Sequence, residues 1–366
     1  MKKIFFAAVL AGTVMFTSCG PKSLITKGNE AQFDSLSYSL GAQIGSGLNY
    51  QMRNIPLDYD KVIEGLTDGA FEKGDITPME AVDLLQDYFM NKRGERMRAI
   101  AEKRHAADSI RLLGGDSTKV DYPVADPEMF ESEKERAEIS YALGLNTGSG
   151  LAEIEVPLQT YWIGKAIKDV QEGNAQMDER TAGMFWNNYM MIVVPAQNKE
   201  KSEKWLASIE KKSGVQKTES GLLYKVEKEG DMSARATDDR DVVKVHYKGT
   251  KSNGKVFDAS RFADMPKMRQ EIMKKQMPEE YDKDEPVEFP LNRVIKGWTE
   301  GMKLVGKGGK ITLWIPSDLA YGPRGNRGIG GNEALRFDVE LIDVTPYEEP
   351  APVETEPAAE ETTVEE

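Results

Sequence analysis

A tandem repeat occupies the first two thirds of the chain. Residues 37–41 (SYSLG) recur as residues 140–144 (SYALG), and the GSGL of residues 45–48 recurs at residues 148–151. In both copies apolar residues follow at helical spacing. The sequence therefore predicts two related all-α units of three helices each.

Helix signals set the limits of the two units. Thr77, Pro78 and Glu80 form a capping box with proline at the first helical position, and Asp178 is the corresponding cap in the second copy. The units are predicted at residues 34–113 and 134–213, with 114–133 as a Gly- and Pro-containing linker. Neither copy contains a cluster of catalytic residue types. We therefore interpret the glycines as points of close helix approach rather than as a phosphate-binding loop.

Composition excludes several kinds of chemistry. The chain has one Cys and two His, so it cannot form an intramolecular disulfide or a thiolate metal cluster. His105 and His246 lie far apart, and no G-x-S-x-G elbow of a serine hydrolase accompanies them. The chemistry must then depend on carboxylates, hydroxyls, aromatic rings and backbone groups, and we expect no metal and no cofactor.

The first residues read as an export signal. Lys2 and Lys3 precede the apolar run 4–16, which is too short to span a bilayer, and small residues come directly before Cys19. This order resembles a bacterial lipoprotein signal, which implies cleavage after residue 18, acylation of Cys19 and a tether over residues 19–33. The protein would be anchored by lipid to a membrane of the bacterial envelope, on its periplasmic side or at the cell surface. The alternative is an ordinary signal peptide with an incidental cysteine.

The last twenty residues carry much of the net charge of −13. Residues 347–366 contain eight Glu and no Lys or Arg, with many Pro and Thr, so they are predicted to be disordered. An acidic tail repels nucleic acid, and no basic stripe interleaved with aromatic residues occurs elsewhere. Nucleic acid is therefore not an expected partner.

The pattern changes from helices to strands after Gly214. Strands are predicted at residues 222–226, 242–247, 310–315 and 335–341, with one short helix at about 295–304. In the third strand Leu313 and Ile315 point to one face and Trp314 to the other. The whole chain is thus of the α+β class, with two all-α helical repeats followed by an antiparallel sheet wrapped on a short helix.

Five motifs in this last part carry a family resemblance. They are YKGT at 247–250, GKVFDASR at 254–261, VIKGW at 294–298, IPSDLAYG at 315–322 and FDVEL at 337–341. In this order they resemble the FKBP-type peptidyl-prolyl isomerases, over residues 214–346. The two helical copies resemble, more weakly, the dimerisation domain of macrophage infectivity potentiator-like members.

The resemblance implies a proline pocket with Trp298 as its floor. Its walls would be Tyr247, Phe257, Val294, Ile295 and Phe337. The Ile295 N–H and the Tyr321 hydroxyl would hold substrate carbonyls, and Asp258 would order Tyr247 or Arg261 beside the twisting bond. Further substrate contacts would come from Arg261, Val287, Phe289, Val294 and Ile329.

Three departures from the family pattern bear on this site. Val287 stands where an aromatic residue often occurs, with Phe289 two residues later. Ile329-Gly330-Gly331 stands where the family usually has Ile-Pro-Pro, which predicts a looser substrate-facing flap. An insertion at 262–284 contains four methionines. It is either a charged helical flap packed on the sheet or an adaptable surface that grips unfolded clients.

Two functions remain open at this point. The first is an isomerase that helps exported proteins fold by acting on proline-containing polypeptides. The second is a holding chaperone or scaffold in which the isomerase domain only binds peptides. For assembly, the helical copies predict either a homodimer or an intramolecular pseudo-dimer.

Overall fold

The computed structural model describes residues 30–152, 154, 156–326 and 328–349. The predicted signal peptide, Cys19 and the tail from residue 350 lie outside the described residues, as does nearly all of the predicted tether. Contacts divide the chain into two compact units: the first contains residues up to 201 with 266–281 and 322–333, and the second contains the remainder. Within the described part, no helix has the length and apolarity needed to cross a membrane.

The first unit is built from two matched sets of helices. The first set is α1 (Glu30–Gln51), α2 (Tyr59–Ala70), α3 (Pro78–Asp87) and α4 (Arg93–Leu113). The second set is α5 (Glu133–Ala152), α6 (Thr160–Gln171), α7 (Glu179–Asn188) and α8 (Val194–Glu210), whose last residues belong to the second unit. A π-helical turn joins α3 to α4 and another joins α7 to α8. The predicted caps at Thr77 and Asp178 are confirmed.

The two sets exchange their first helices. Helix α1 packs on α6 and α7 of the other set, and α5 packs on α2 and α3. Matching hydrogen bonds accompany the exchange: Tyr38 Oη lies 2.8 Å from Asp169 Oδ2, and Tyr141 Oη lies 2.9 Å from Asp68 Oδ2. The repeat in the sequence therefore becomes a pair of equivalent interfaces in the fold.

Glycines of the repeat allow these helices to touch. A Cβ atom placed on Gly144 would lie 2.0 Å from the Val62 carbonyl oxygen, and one on Gly65 would lie 2.1 Å from the Tyr141 carbonyl oxygen. No side chain fits at such distances. The interpretation of the motif glycines as points of close helix approach is confirmed for Gly144 but not for Gly150, whose Cβ position has nothing within 4 Å.

The segment between the two sets is held along α4. Arg104 Nη2 lies 2.6 Å from Asp126 Oδ2, and its guanidinium lies 4.8 Å from the centre of the Tyr122 ring. Nearer the beginning of α4, Arg96 donates to Glu135 at the start of α5, with 3.0 Å between Nη2 and Oε1. The predicted linker thus follows a defined path back to α5.

The insertion forms helix α9 (Lys267–Gln276), which belongs to the first unit. It packs against α3, where Lys275 pairs with Asp83. The contact given for this helix is therefore with another helix, whereas Asp264, earlier in the insertion, pairs with Lys248 at 2.7 Å. Among the methionines of the insertion, Met265 is buried and Met277 is exposed.

The second unit is an antiparallel sheet. Its strands are β1 (Gln216–Lys217), β2 (Leu223–Lys228), β4 (Val242–Lys251), β5 (Val256–Ala259), β6 (Val287–Pro290), β8 (Lys310–Ile315) and β9 (Leu335–Thr345). Their order is β1-β2-β8-β9-β4-β5, and β6 also pairs with β4. A separate small ladder joins β3 (Asp231–Arg235) to β7 (Gly306–Lys307). The four predicted strands are present, and the shorter ones were not predicted.

Helix α10 (Lys296–Gly301) lies on one face of this sheet. A Cβ atom on Gly297 would lie 2.4 Å from Ile315 Cγ2, and one on Gly301 would lie 2.6 Å from Leu313 Cδ1, so the helix approaches β8 through glycines. Trp314 packs on the other face with Ile209, as strand alternation predicts. The sheet wrapped on a short helix is therefore confirmed.

Candidate functional site

Five aromatic side chains gather on the α10 face of the sheet. They are Tyr247 of β4, Phe257 of β5, Phe289 of β6, Trp298 of α10 and Phe337 of β9. The Trp298 ring centre lies 5.4 Å from that of Tyr247, 5.7 Å from that of Phe289 and 5.3 Å from that of Phe337, all edge to face. Edge-to-face rings attract through their quadrupoles. We call these five rings the aromatic cluster.

The centre of the cluster is dry. Trp298 is 4% exposed and Phe337 is 5% exposed. The buried indole N–H of Trp298 has no hydrogen-bond partner among the described residues. Leaving a buried donor without a partner costs roughly 1–3 kcal/mol of folding free energy. An indole N–H that is left so marks a candidate functional site.

Gly249 gives the rings their space. It pairs with Phe337 across the ladder between β4 and β9 and with Asp258 across the ladder between β4 and β5. A Cβ atom here would lie 2.7 Å from Phe257 Cζ and 2.9 Å from Phe337 Cε1. The absence of a side chain at this position therefore lets both rings lie against the strand.

One oriented polar pair adjoins the cluster. The Tyr247 hydroxyl donates to Asp258 Oδ2 at 2.6 Å, and the Ala259 N–H donates to Asp258 Oδ1 at 3.0 Å. The carboxylate is thereby fixed next to an aromatic wall. Of the two predicted partners of Asp258, the structure joins it to Tyr247.

Ser260 fixes the backbone of Tyr247, a role that sequence reasoning missed. Its Oγ accepts the Tyr247 N–H at 2.9 Å, while its own N–H donates to the Tyr247 carbonyl at 3.0 Å. His246 Nδ1 lies 3.2 Å from the same hydroxyl. Burial lowers the pKa of His246, and the positive charge of Arg261 lowers it further, against the opposing effect of the Glu340 and Asp284 carboxylates. The only sequence signal was a serine two residues after Asp258.

Arg261 lies on the opposite face of the sheet. Its Nη2 is 3.1 Å from Glu340 Oε2, and Glu340 alternates with the residues of β9 that face α10, such as Phe337. The hydrogen bond from Arg261 is the main cause that holds the pKa of Glu340 below its usual value. The structure thus separates Arg261 from the aromatic cluster and from Asp258.

Ile295 caps α10. Its carbonyl accepts the N–H groups of Trp298 and Thr299, at 2.9 and 3.2 Å. Its own N–H donates to no acceptor in the part of the chain that the structure describes. Val294, directly before it, is half-buried. A backbone donor is therefore available beside the indole.

Three further predicted site residues are located by their burial and their position in the chain. Tyr321 is half-buried and follows the turn after β8. Val287 is 36% exposed and stands on β6 two residues before Phe289, on the same side of the strand. Ile329 is buried and belongs to the first unit.

The arrangement suits non-covalent chemistry. Among the described residues, no three His, Cys, Asp or Glu side chains gather as metal ligands. The cluster instead offers apolar ring faces, one hydroxyl–carboxylate pair and one backbone donor. Such groups bind an apolar ring and hold neighbouring carbonyls at defined positions.

Two family profiles match the chain. The profile described as FKBP-type peptidyl-prolyl cis-trans isomerase matches residues 233–342. The profile described as the domain amino terminal to FKBP-type peptidyl-prolyl isomerase matches twice, at residues 33–110 and 136–226. The second result reproduces the internal repeat.

Individual relatives are bacterial. The FKBP-type peptidyl-prolyl cis-trans isomerase FkpA of Aeromonas hydrophila is 33% identical over 261 residues, which cover 66% of this chain and 87% of that protein. The FkpA of Escherichia coli K12 is 42% identical over 151 residues, 41% of this chain and 48% of that protein. The crystal structure of FkpA from Escherichia coli aligns at 32% identity with a TM-score of 0.39, covering 52% of this chain and 84% of that one.

Proposed function

This chain belongs to the FKBP-type peptidyl-prolyl cis-trans isomerases, and we propose that it twists the X–Pro bonds of exported polypeptides in the aromatic cluster around Trp298. The observation that carries the proposal is the hydrogen bond from the Tyr247 hydroxyl to Asp258, next to the buried indole of Trp298. It joins one oriented polar pair to the buried aromatic rings among which the proposal places the proline ring of the substrate.

The chemistry needs shape and polarity rather than a proton carrier. Rotation about an X–Pro bond is slow because the twisted amide loses resonance, at a barrier of about 18–20 kcal/mol. A twisted amide is less charge-separated than a planar one, so a dry aromatic slot stabilises it relative to water. No covalent bond forms or breaks.

Polar groups of this chain add to that effect in the proposal. The Ile295 N–H holds a substrate carbonyl on one side of the ring, and the Tyr321 hydroxyl holds another. Asp258 lies next to the turning carbonyl and keeps Tyr247 in place. Each hydrogen bond that is made only in the twisted state is worth about 1 kcal/mol. Contacts from Val287, Val294 and Ile329 stay predictions.

The test measures isomerisation of a short proline peptide by the whole chain. Asp258→Ala should lower kcat/KM by roughly tenfold, equivalent to about 1.4 kcal/mol, since it removes both the charge and the anchor of Tyr247. Trp298→Ala should lower it further by opening the floor of the slot. Asp343→Ala is the matched control, because this carboxylate pairs with Lys307 at the surface. No activity above background in the unmodified chain would leave the holding chaperone or scaffold as the function.

Location is part of the same proposal. The basic and apolar start of the chain and the small residues before Cys19 support export followed by acylation at Cys19. The clients would then be proline-containing proteins that fold outside the cytoplasm. Incorporation of labelled fatty acid that is lost in Cys19→Ala tests the anchor, and labelling that persists in the variant contradicts it.

A further inference from the structure

The loop 322–333 is described at residues 322–326 and 328–333, where backbone hydrogen bonds hold it despite its glycines. Asn326 and Ile329 form a two-way bridge, with N–H to O distances of 2.9 and 2.8 Å. The Asn332 N–H closes the loop by donating to the Gly322 carbonyl at 2.9 Å. The predicted loosening by Ile329-Gly330-Gly331 is therefore not what this conformation shows.

Two side-chain amides tie this loop to the beginning of α8. Asn198 Nδ2 donates to the Gly331 carbonyl at 3.1 Å, and Asn332 Nδ2 donates to the Pro195 carbonyl at 3.1 Å. The two hydrogen bonds are reciprocal, since the loop and the helix each donate one from a side-chain amide and accept one at a backbone carbonyl. One turn further along α8, the Ser202 hydroxyl accepts the Ala334 N–H at 2.9 Å, at the point where the chain enters β9.

The glycines are what permit this contact. A Cβ atom on Gly330 would lie 2.6 Å from Asn198 Nδ2. One on Gly331 would lie 2.2 Å from the Pro323 carbonyl oxygen and 3.2 Å from Pro195 Cγ. Proline at either position would therefore collide with its surroundings. The departure from the family's Ile-Pro-Pro thus coincides with close contacts, at Gly331 mainly with the Pro323 carbonyl of the loop itself and at Gly330 with the Asn198 side chain of α8.

We propose that Asn198 and Asn332 are positioning residues for the isomerase reaction, which hold loop 322–333 against the first turns of α8. The loop connects Tyr321 to the strand that carries Phe337, so its conformation restricts both ends of that segment. Two prolines would stiffen the loop through their rings. In this chain, two amide hydrogen bonds to a helix hold the loop instead. This inference rests on the proposed function in so far as Tyr321 holds substrate.

The test uses the whole chain with Asn198→Asp. This change keeps the size of the side chain and removes the amide donor, leaving an oxygen that faces the Gly331 carbonyl. Amide hydrogen exchange in residues 322–333 should become roughly fivefold faster, as expected for one lost hydrogen bond. The KM for a proline peptide should rise by a similar factor, with kcat less affected. Asn332→Ala, which removes the second amide, should behave in the same way.

Lys199→Ala is the control, because this side chain is exposed on the same helix. It should change neither exchange nor kinetics. Unchanged exchange in Asn198→Asp would overturn the clamp, and faster exchange with unchanged KM would overturn its role in positioning. A loss of activity that only follows a lower melting temperature would also overturn it. Absence of activity in the unmodified chain would instead refute the proposed function, and the exchange result would still decide whether the clamp exists.

Discussion

At the scale of single residues, Gly249 controls the geometry of the aromatic cluster. It is the point where β4 passes beneath two rings, and both rings approach to within 3 Å of the place where a side chain would begin. Phe257 and Phe337 meet there edge to face, with their centres 5.5 Å apart. Their arrangement relative to Trp298 therefore depends on the absence of one methyl group.

Gly249→Ala should impair both folding and catalysis. The added Cβ forces the Phe257 and Phe337 rings to shift, at a cost of about 1–3 kcal/mol in the free energy of unfolding. Because these rings form walls of the proposed slot, kcat/KM for a proline peptide should fall roughly tenfold. Gly94→Ala controls for the loss of a glycine, since a Cβ atom there meets nothing within 4 Å. Unchanged kinetics in Gly249→Ala would show that the slot lies elsewhere.

Sequence reasoning found the residues whose position follows from strand register. Tyr247, Phe257, Trp298 and Phe337 stand in the motifs of the family resemblance, and the structure brings their rings together. Sequence reasoning expected Arg261 beside Asp258, but the structure places it on Glu340. The sequence does not show that the chain after β5 carries this side chain to the far face of the sheet. Ser260 was missed for a related reason, since its contact with Tyr247 joins two strands.

At the scale of elements, the exchanged helices meet through glycines set into facing surfaces. Gly144 of α5 faces the backbone of Val62 in α2, and Gly65 of α2 faces the backbone of Tyr141 in α5. Backbone atoms cannot move aside as a flexible side chain can. The interface between these two helices should therefore be among the least tolerant surfaces of the first unit.

Gly144→Ala should destabilise the helical unit. Its Cβ atom would lie 2.0 Å from the Val62 carbonyl oxygen, so the helices must separate. We expect a loss of about 1–3 kcal/mol in the free energy of unfolding, after a gain in helix propensity of under about 1 kcal/mol. Gly150→Ala on the same helix is the control, since nothing lies within 4 Å of its Cβ position. Denaturant unfolding followed by the helical circular dichroism signal measures both, and equal stabilities would contradict close packing at Gly144.

Elements were predictable where they are long and periodic. The helices and the four main strands follow from apolar spacing and caps. Strands of two to five residues, such as β1 and β3, carry too few residues for a pattern. The glycines at 330 and 331 predict a loose loop, whereas the hydrogen bond from Asn198 to the Gly331 carbonyl joins residues far apart in sequence and has no local sequence signal.

At the scale of the whole molecule, the repeat produces an interface that is satisfied within one chain. Helix α1 fills the site on α6 and α7, and α5 fills the equivalent site on α2 and α3. Ser37 Oγ accepts the Gln159 N–H at 2.9 Å, and Ser140 Oγ accepts the Asp58 N–H at the same distance. Both exchanged positions are thus occupied without a second copy. Of the two predicted assemblies, we propose the intramolecular pseudo-dimer.

The chain should therefore sediment as a monomer over a wide range of concentration. The measurement uses Cys19→Ala, which cannot be acylated or oxidised and leaves no cysteine. Adding Gly45→Cys and Val170→Cys, at positions whose Cβ atoms would lie 3.1 Å apart, should trap α1 on α6 as a disulfide. The trapped protein should run as a single chain on a denaturing gel without reductant. A stable dimer in sedimentation would contradict the intramolecular pseudo-dimer. A trapped species of twice the mass would show that α1 is exchanged between chains, because only an intermolecular exchange links two copies through this pair.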